Sequence, residues 1–108
     1  MILTTIESIP GMRVKAHRGL VSGSTVRAKN VVLDFGASMK NFIGGELGSY
    51  TNLLAEAREE AIMRMISQAN KLKANAIVNV RLATSSITAG AAEVYAYGTA
   101  VEVEAIER

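Results

Sequence analysis

The chain has 108 residues, 49% of them hydrophobic and 20% charged, with 12 Lys and Arg against 10 Asp and Glu. That is the composition of one globular domain covering residues 1–108, and a net charge of +2 gives no argument for nucleic acid as a partner. Cysteine is absent, which excludes disulfides, thiolate catalysis and thiolate metal sites together. No apolar run approaches the roughly 18 residues that cross a bilayer, and no basic segment precedes the first apolar residues. The expected location is therefore the cytoplasm, with no membrane partner.

Residues 2–6 (ILTTI) are short and β-branched, and the only proline stands beside Gly11, so a strand and a turn are expected to open the chain. From Arg13 to Val21 the residues alternate, with Val14, Ala16 and Leu20 on one side and Arg13, Lys15, His17 and Val21 on the other. This reads as a strand with one wet face, interrupted by Ser22, Gly23 and Ser24 before Thr25 and Val26 resume it. Arg13, Lys15, Arg18, Arg27 and Lys29 follow one another with no acid between them. The solvated face of a hairpin accounts for this run better than an anion or nucleic-acid patch, because it holds no stacking aromatic.

Asn30 to Ile43 places Val32, Phe35, Met39 and Phe42 at the spacing of a short helix. The glycines of GGELGSY then permit a sharp reversal. A phosphate cradle is not indicated there, since no GxxxxGK[ST] spacing occurs and no lysine ends the loop.

Ser49 to Asn75 carries the long helical signal. At about 100° per residue, Leu54, Ala57, Ala61, Met65, Ala69 and Leu72 form one apolar stripe. Ser49 or Thr51 is expected to cap its start, Lys71 and Lys73 suit the negative end of its dipole, and Asn75 is expected to take the left-handed turn that ends it. Ile62 and Ile66 widen the apolar face and Met63 lies among polar residues, which marks all three as candidates for contact with another subunit.

Ala76 to Thr84 alternates, with Ala76, Val78, Val80 and Leu82 on one face. Turn residues follow around Gly90, and Glu93 to Ala105 alternates again, with Tyr95, Tyr97, Val101 and Val103 opposite Ala96, Gly98 and Ala100. Small residues on a strand allow close approach, and Gly98 is a candidate bulge. The expected fold is α+β, a two-layer domain in which an antiparallel sheet is covered by one long helix plus a short one. One long helix cannot cover four strands on both sides, and open edges invite pairing. Antiparallel sheets permit a wet second face, but Tyr95, Tyr97 and Ile77 favour cover of part of it by a neighbouring copy, so the predicted partner is the chain itself, as a homo-oligomer.

GLVSGSTV (19–26), the run DFGASMKNFIGGELGSYTNLLAEAREEAIMRMISQA (34–69), ANAIVNVRL (74–82) and EVYAYGTAV (93–101) occur in this order. Together they resemble the YbjQ family of small bacterial proteins, which carries the domain label "putative heavy-metal binding". The resemblance implies a dodecin-like arrangement assembled into a ring, five-fold in the family's pattern. It also implies metal-ion binding. One departure is Lys73, where the family commonly has glycine before the Ala-Asn-Ala-Ile-Val run.

Heavy, soft metals prefer thiolate or imidazole ligands, and this chain offers His17 alone. His17 is thus a weak metal candidate, one that only an oligomer axis could multiply. Asp34, Glu46 and Glu93 lack ligand spacing, and Met12, Met39, Met63 and Met65 read first as packing residues. No GxSxG or comparable nucleophile motif is present, so no enzyme is expected and no catalytic residue is assigned. If there is a ligand site, charges, a flexible loop and an aromatic converge in sequence at Asp34, Lys40, Glu46, Tyr50 and Arg58. Two readings stay open: a non-enzymatic homo-oligomeric module, holding a small molecule or anion between subunits or acting as a scaffold, and a metal-ion binding protein. The sequence names no cofactor.

Overall fold

The computed structural model describes residues 1–28 and 45–107, excepting the side chains of residues 45–50. Its elements run β1 (Ile2–Leu3), β2 (Met12–Ala28), α1 (Gly45–Lys71), β3 (Ala76–Thr88) and β4 (Ala91–Ala105). The strands form one sheet in the order β1-β3-β4-β2, with α1 on one face. The short helix expected over residues 30–43 lies outside the described residues.

The α+β class holds, but the sheet is mixed rather than antiparallel. β1 pairs in parallel with β3, Ile2 opposite Ala76 and Leu3 opposite Ile77, while β3 and β2 flank β4 antiparallel. Beyond β1 the N-terminal segment keeps following the edge of β3: Thr4 N–H donates to the Ile77 carbonyl (3.0 Å), Val80 N–H to Thr4 (3.0 Å) and Asn79 N–H to Ile6 (3.0 Å). So short a segment cannot announce such a partner by its own pattern, because the pairing joins opposite ends of the chain.

β2 runs without a break through Ser22–Gly23–Ser24, where the local pattern suggests an interruption. The small residues serve a contact instead. Gly23 is buried where α1 crosses the strand, and a Cβ there would overlap the Ala61 carbonyl oxygen and the Met65 amide nitrogen and come within 2.8 Å of the Arg64 Cβ. The helix contributes small residues of its own, and Ala57, Ala61, Met65 and Ala69 are all fully buried. Leu54 is only half-buried and Leu72 is exposed, so the working stripe is shorter than its periodicity implies.

The helix starts at Gly45, placing Ser49 and Thr51 inside it rather than at its cap. A nucleated helix propagates at one hydrogen bond per residue and loses only about 1 kcal/mol at a glycine. At its other end the left-handed residue is Lys73 (φ 63°), not Asn75. Ala74 N–H donates to Ala69 (3.1 Å) and Lys73 N–H to Asn70 (3.0 Å), the paired bonds of a Schellman terminus. Asn75 acts on the sheet instead. Its side-chain amide exchanges two hydrogen bonds with the Val103 backbone, at 2.9 and 2.8 Å, and so continues the β3–β4 ladder past the strand end.

The uniform alternation expected for β3 fails at Asn79 (φ 54°), where the register shifts between Val78 and Arg81. Val78 stays with Ala76, Val101 and Val103 on the outer face, under Ile9 and Met12, whereas the bulge turns Val80 to the face of Ile77, into the core beneath α1. Gly98 lies opposite this bulge rather than forming one itself, and a Cβ there would come within 2.7 Å of Ile77 Cγ2. Ile77, expected to meet a neighbouring copy, is fully buried within its own chain.

Two substitutions test this packing. Gly23→Ala is expected to cost about 1–3 kcal/mol, as overpacking against backbone does, read as a lower urea midpoint; an unchanged midpoint would mean that α1 lifts away freely. Lys73→Gly is expected to stabilise by about 1 kcal/mol by removing the left-handed penalty of a side-chain-bearing residue; a variant no more stable than the parent would refute that account.

Candidate functional site

Of the five residues converging in sequence, Asp34 and Lys40 lie outside the described residues, as do the side chains of Glu46 and Tyr50. Arg58 is described, and it is exposed on α1. The described residues therefore do not assemble that constellation. His17 is exposed on β2, opposite Val101 and beside a register shift.

Most of the basic run is neutralised within the chain. On the lower half of the hairpin, Arg13 pairs with Glu104, while Arg18 (2.6 Å) and Lys15 (3.9 Å) share Glu102. A surface hollow of 660 Å³ lined by Arg13, Glu104, Ala105, Ile106 and Glu107 sits beside the first of these pairs. Its arginine and Glu104 already satisfy each other, leaving little charge for a ligand.

At the seam between β2 and α1, Glu60 accepts from both Arg27 and Arg64, and Arg64 also donates to the Ser24 carbonyl (2.5 Å). One turn on, Gln68 Oε1 accepts from the Ser22 N–H (2.7 Å). These side chains come from one flank of the helix and satisfy backbone groups on the outward edge of β2. The Arg27 guanidinium, hydrogen-bonded to the Glu60 carboxylate, holds it below the usual carboxylate range, and the charge of Arg64 acts in the same direction. Sequence reasoning missed this network because Arg27 and Glu60 stand 33 residues apart.

The opposite face of the sheet is unevenly covered. Its lower half is closed by Ile9 and Met12. Its upper half carries Tyr95 and Tyr97, stacked with ring centroids 6.0 Å apart and 26° between planes. Ser22 and Ser24 flank them on β2, Arg81 and Ala83 on β3. Tyr97 and Val26 are exposed here, and Leu20 is 75% exposed. On the helix, Met63 is 63% exposed, while Ile62 and Ile66 pack partly against their own core.

The implied metal fits poorly. Among the described residues no three His, Cys, Asp or Glu side chains come together, and the whole chain has one histidine and no cysteine. A soft ion would find at most one imidazole per copy. No described helix is long and apolar enough to cross a membrane.

Comparison with known proteins gives a consistent relationship. A family model described as "Putative heavy-metal-binding" matches residues 1–104. The chain is 56% identical over 104 residues to a UPF0145 protein of Hahella chejuensis, covering 96% of this chain and 100% of that one. It is 48% identical over 106 residues to a UPF0145 protein of Thermotoga maritima, covering 98% of this chain and 100% of that one. Among solved structures, a protein with unknown function of the DUF74 family from Pediococcus pentosaceus superposes with a TM-score of 0.67 at 15% identity, over 96% of this chain and 98% of that one. That last likeness concerns the fold.

The seam between β2 and α1 makes stability depend on pH. Because the folded protein holds Glu60 below its unfolded pKa, its contribution is fully present above the unfolded carboxylate range and is lost as pH falls through the lower folded value. Thermal unfolding of Glu60→Gln should show a lower Tm than the parent at neutral pH, with the two converging in acid. Coincident curves at every pH would show that the network adds nothing, and a constant offset would show that the charge of Glu60 is not its contribution.

Proposed function

This chain belongs to the YbjQ (UPF0145) family, and we propose that it works as a non-enzymatic homo-oligomeric module, a closed ring of identical copies in the cytoplasm. The observation that carries this reading is the shape of the single chain. It extends 62 × 23 × 15 Å with a radius of gyration of 17.9 Å, where a compact domain of this length has about 13 Å. Among the described residues, α1 covers one face of the sheet and Ile9 and Met12 close only the lower part of the other. The upper outer face, with Tyr95, Tyr97, Leu20 and Val26, and the exposed Met63 beside Ile62 and Ile66 are the surfaces this reading assigns to neighbouring copies. Five copies is the number the family resemblance implies.

A small molecule or anion held between copies is the ligand class that suits the outer face, where stacked tyrosines, serine hydroxyls and Arg81 stand together. Metal binding, the alternative in the family's description, draws no support from the donor set.

Native mass spectrometry of untagged protein tests the reading. Multiples of the chain mass without bound metal are expected. A single-chain mass at every concentration overturns the oligomer, and a stoichiometric metal ion retained through desalting would restore the metal reading.

A further inference from the structure

One row across the upper outer face combines hydroxyl, aromatic and cationic side chains. The register sets Ser22 of β2, Tyr97 of β4 and Arg81 of β3 side by side, and the next row is Ser24, Tyr95 and Ala83. The short serines and Ala83 leave the two rings standing above their neighbours, stacked on one another, with Tyr97 39% exposed. Arg81 is held in place from the N-terminal side. Its Nη1 donates to the Thr5 carbonyl (2.7 Å) and to the Val80 carbonyl (2.9 Å), which leaves Nε and Nη2 as a pair of donors. Arg13, Lys15, Arg18, Arg27 and Arg64 each have a carboxylate, whereas among the described residues none pairs with Arg81.

We propose that this row binds a planar aromatic carboxylate, with its ring against Tyr97 and its carboxylate on Nε and Nη2 of Arg81. The inference rests on the small-molecule reading of the outer face given above and deepens it by naming the ligand class. Exposed flat rings favour a planar apolar body, and a stack that is already formed loses little freedom when a further ring joins it. A guanidinium whose position is already fixed takes a carboxylate through parallel N–H···O bonds, at a smaller entropic cost than a mobile one. Charge selects a monoanion over a phosphate. Among the described residues Arg81 is the cation that the register places beside the tyrosines, and Glu93 follows Tyr95 on the same face, where it repels a second negative charge. Ser22, on the other side of Tyr97, offers a hydroxyl to a polar substituent of the ligand ring.

The probe is naphthoate, followed by equilibrium dialysis and by the NMR ring signals of Tyr95 and Tyr97, with native mass spectrometry to count copies. Wild type is expected to bind about one probe per chain and to shift both ring signals. Tyr97→Ala should weaken binding roughly tenfold or more. Arg81→Gln should weaken naphthoate roughly tenfold or more while leaving the neutral naphthalenemethanol unchanged, a split that loss of the Thr5 contact alone would not produce. An equal loss of the acid and the alcohol overturns Arg81 as the carboxylate ligand. Cyclohexanecarboxylate bound as tightly as naphthoate, or naphthyl phosphate bound more tightly, overturns the planar monoanion. An assembled wild type that binds no naphthoate overturns the site and leaves the oligomer standing, whereas a single-chain species that binds it overturns the oligomer and leaves the site. A single-chain species that binds none overturns both. Should Tyr97→Ala fail to fold, the ring signals of the wild type decide.

Discussion

The fold depends on how closely α1 can approach β2. Gly23 has no Cβ, and the helix opposes it with Ala57, Ala61 and Ala69, leaving Met65 as the one large side chain in the stripe. Interiors are packed to crystal-like density, so a helix seated on so little side-chain volume must sit with its backbone almost on the strand. That closeness brings Arg64 and Gln68 within reach of the backbone of Ser24 and Ser22 and lets Glu60 bind Arg27. It also commits the helix to one side of the sheet.

The far side bears the consequence. Among the described residues β3 meets the helix near its start, through Ile77 and, turned to the same face by the bulge at Asn79, Val80, while Val78 faces a second, smaller core closed by Ile9 and Met12. Among the described residues, neither the helix nor the N-terminal segment runs beside the strand above the bulge. The core beneath α1 continues upward through Val94 and Ala96 on β4, so on the upper half of the sheet the helix covers β2 and β4, while among the described residues the outer face there carries only its own side chains.

Charge follows the same division. Arg13, Lys15, Arg18, Arg27 and Arg64 are engaged by Glu102, Glu104 and Glu60, so electrostatic groups along β2 act within the chain. The upper outer face carries stacked tyrosines and serines, with Arg81 as its charged neighbour. Such a surface has little to offer a soft metal ion, and this weighs against reading the family's description literally for this chain.

Much of the fold was legible in local pattern. The α+β class, the strand order along the chain and the alternation of β4 follow from periods of 3.6 and 2, which each residue expresses through its immediate neighbours. The need for a left-handed residue after the helix was legible too, although it falls on Lys73 rather than Asn75. Of the sites, little was legible: the Arg27–Glu60–Arg64 network joins residues that share no sequence window, and Ser22–Gly23–Ser24 resembles a turn to any local reading. What the sequence determined by itself was which segments are strand or helix and which faces are apolar. Tertiary structure decided the parallel entry of β1, the split of β3 between two cores and which edge was left open, because each depends on groups brought together only after the chain has closed long loops.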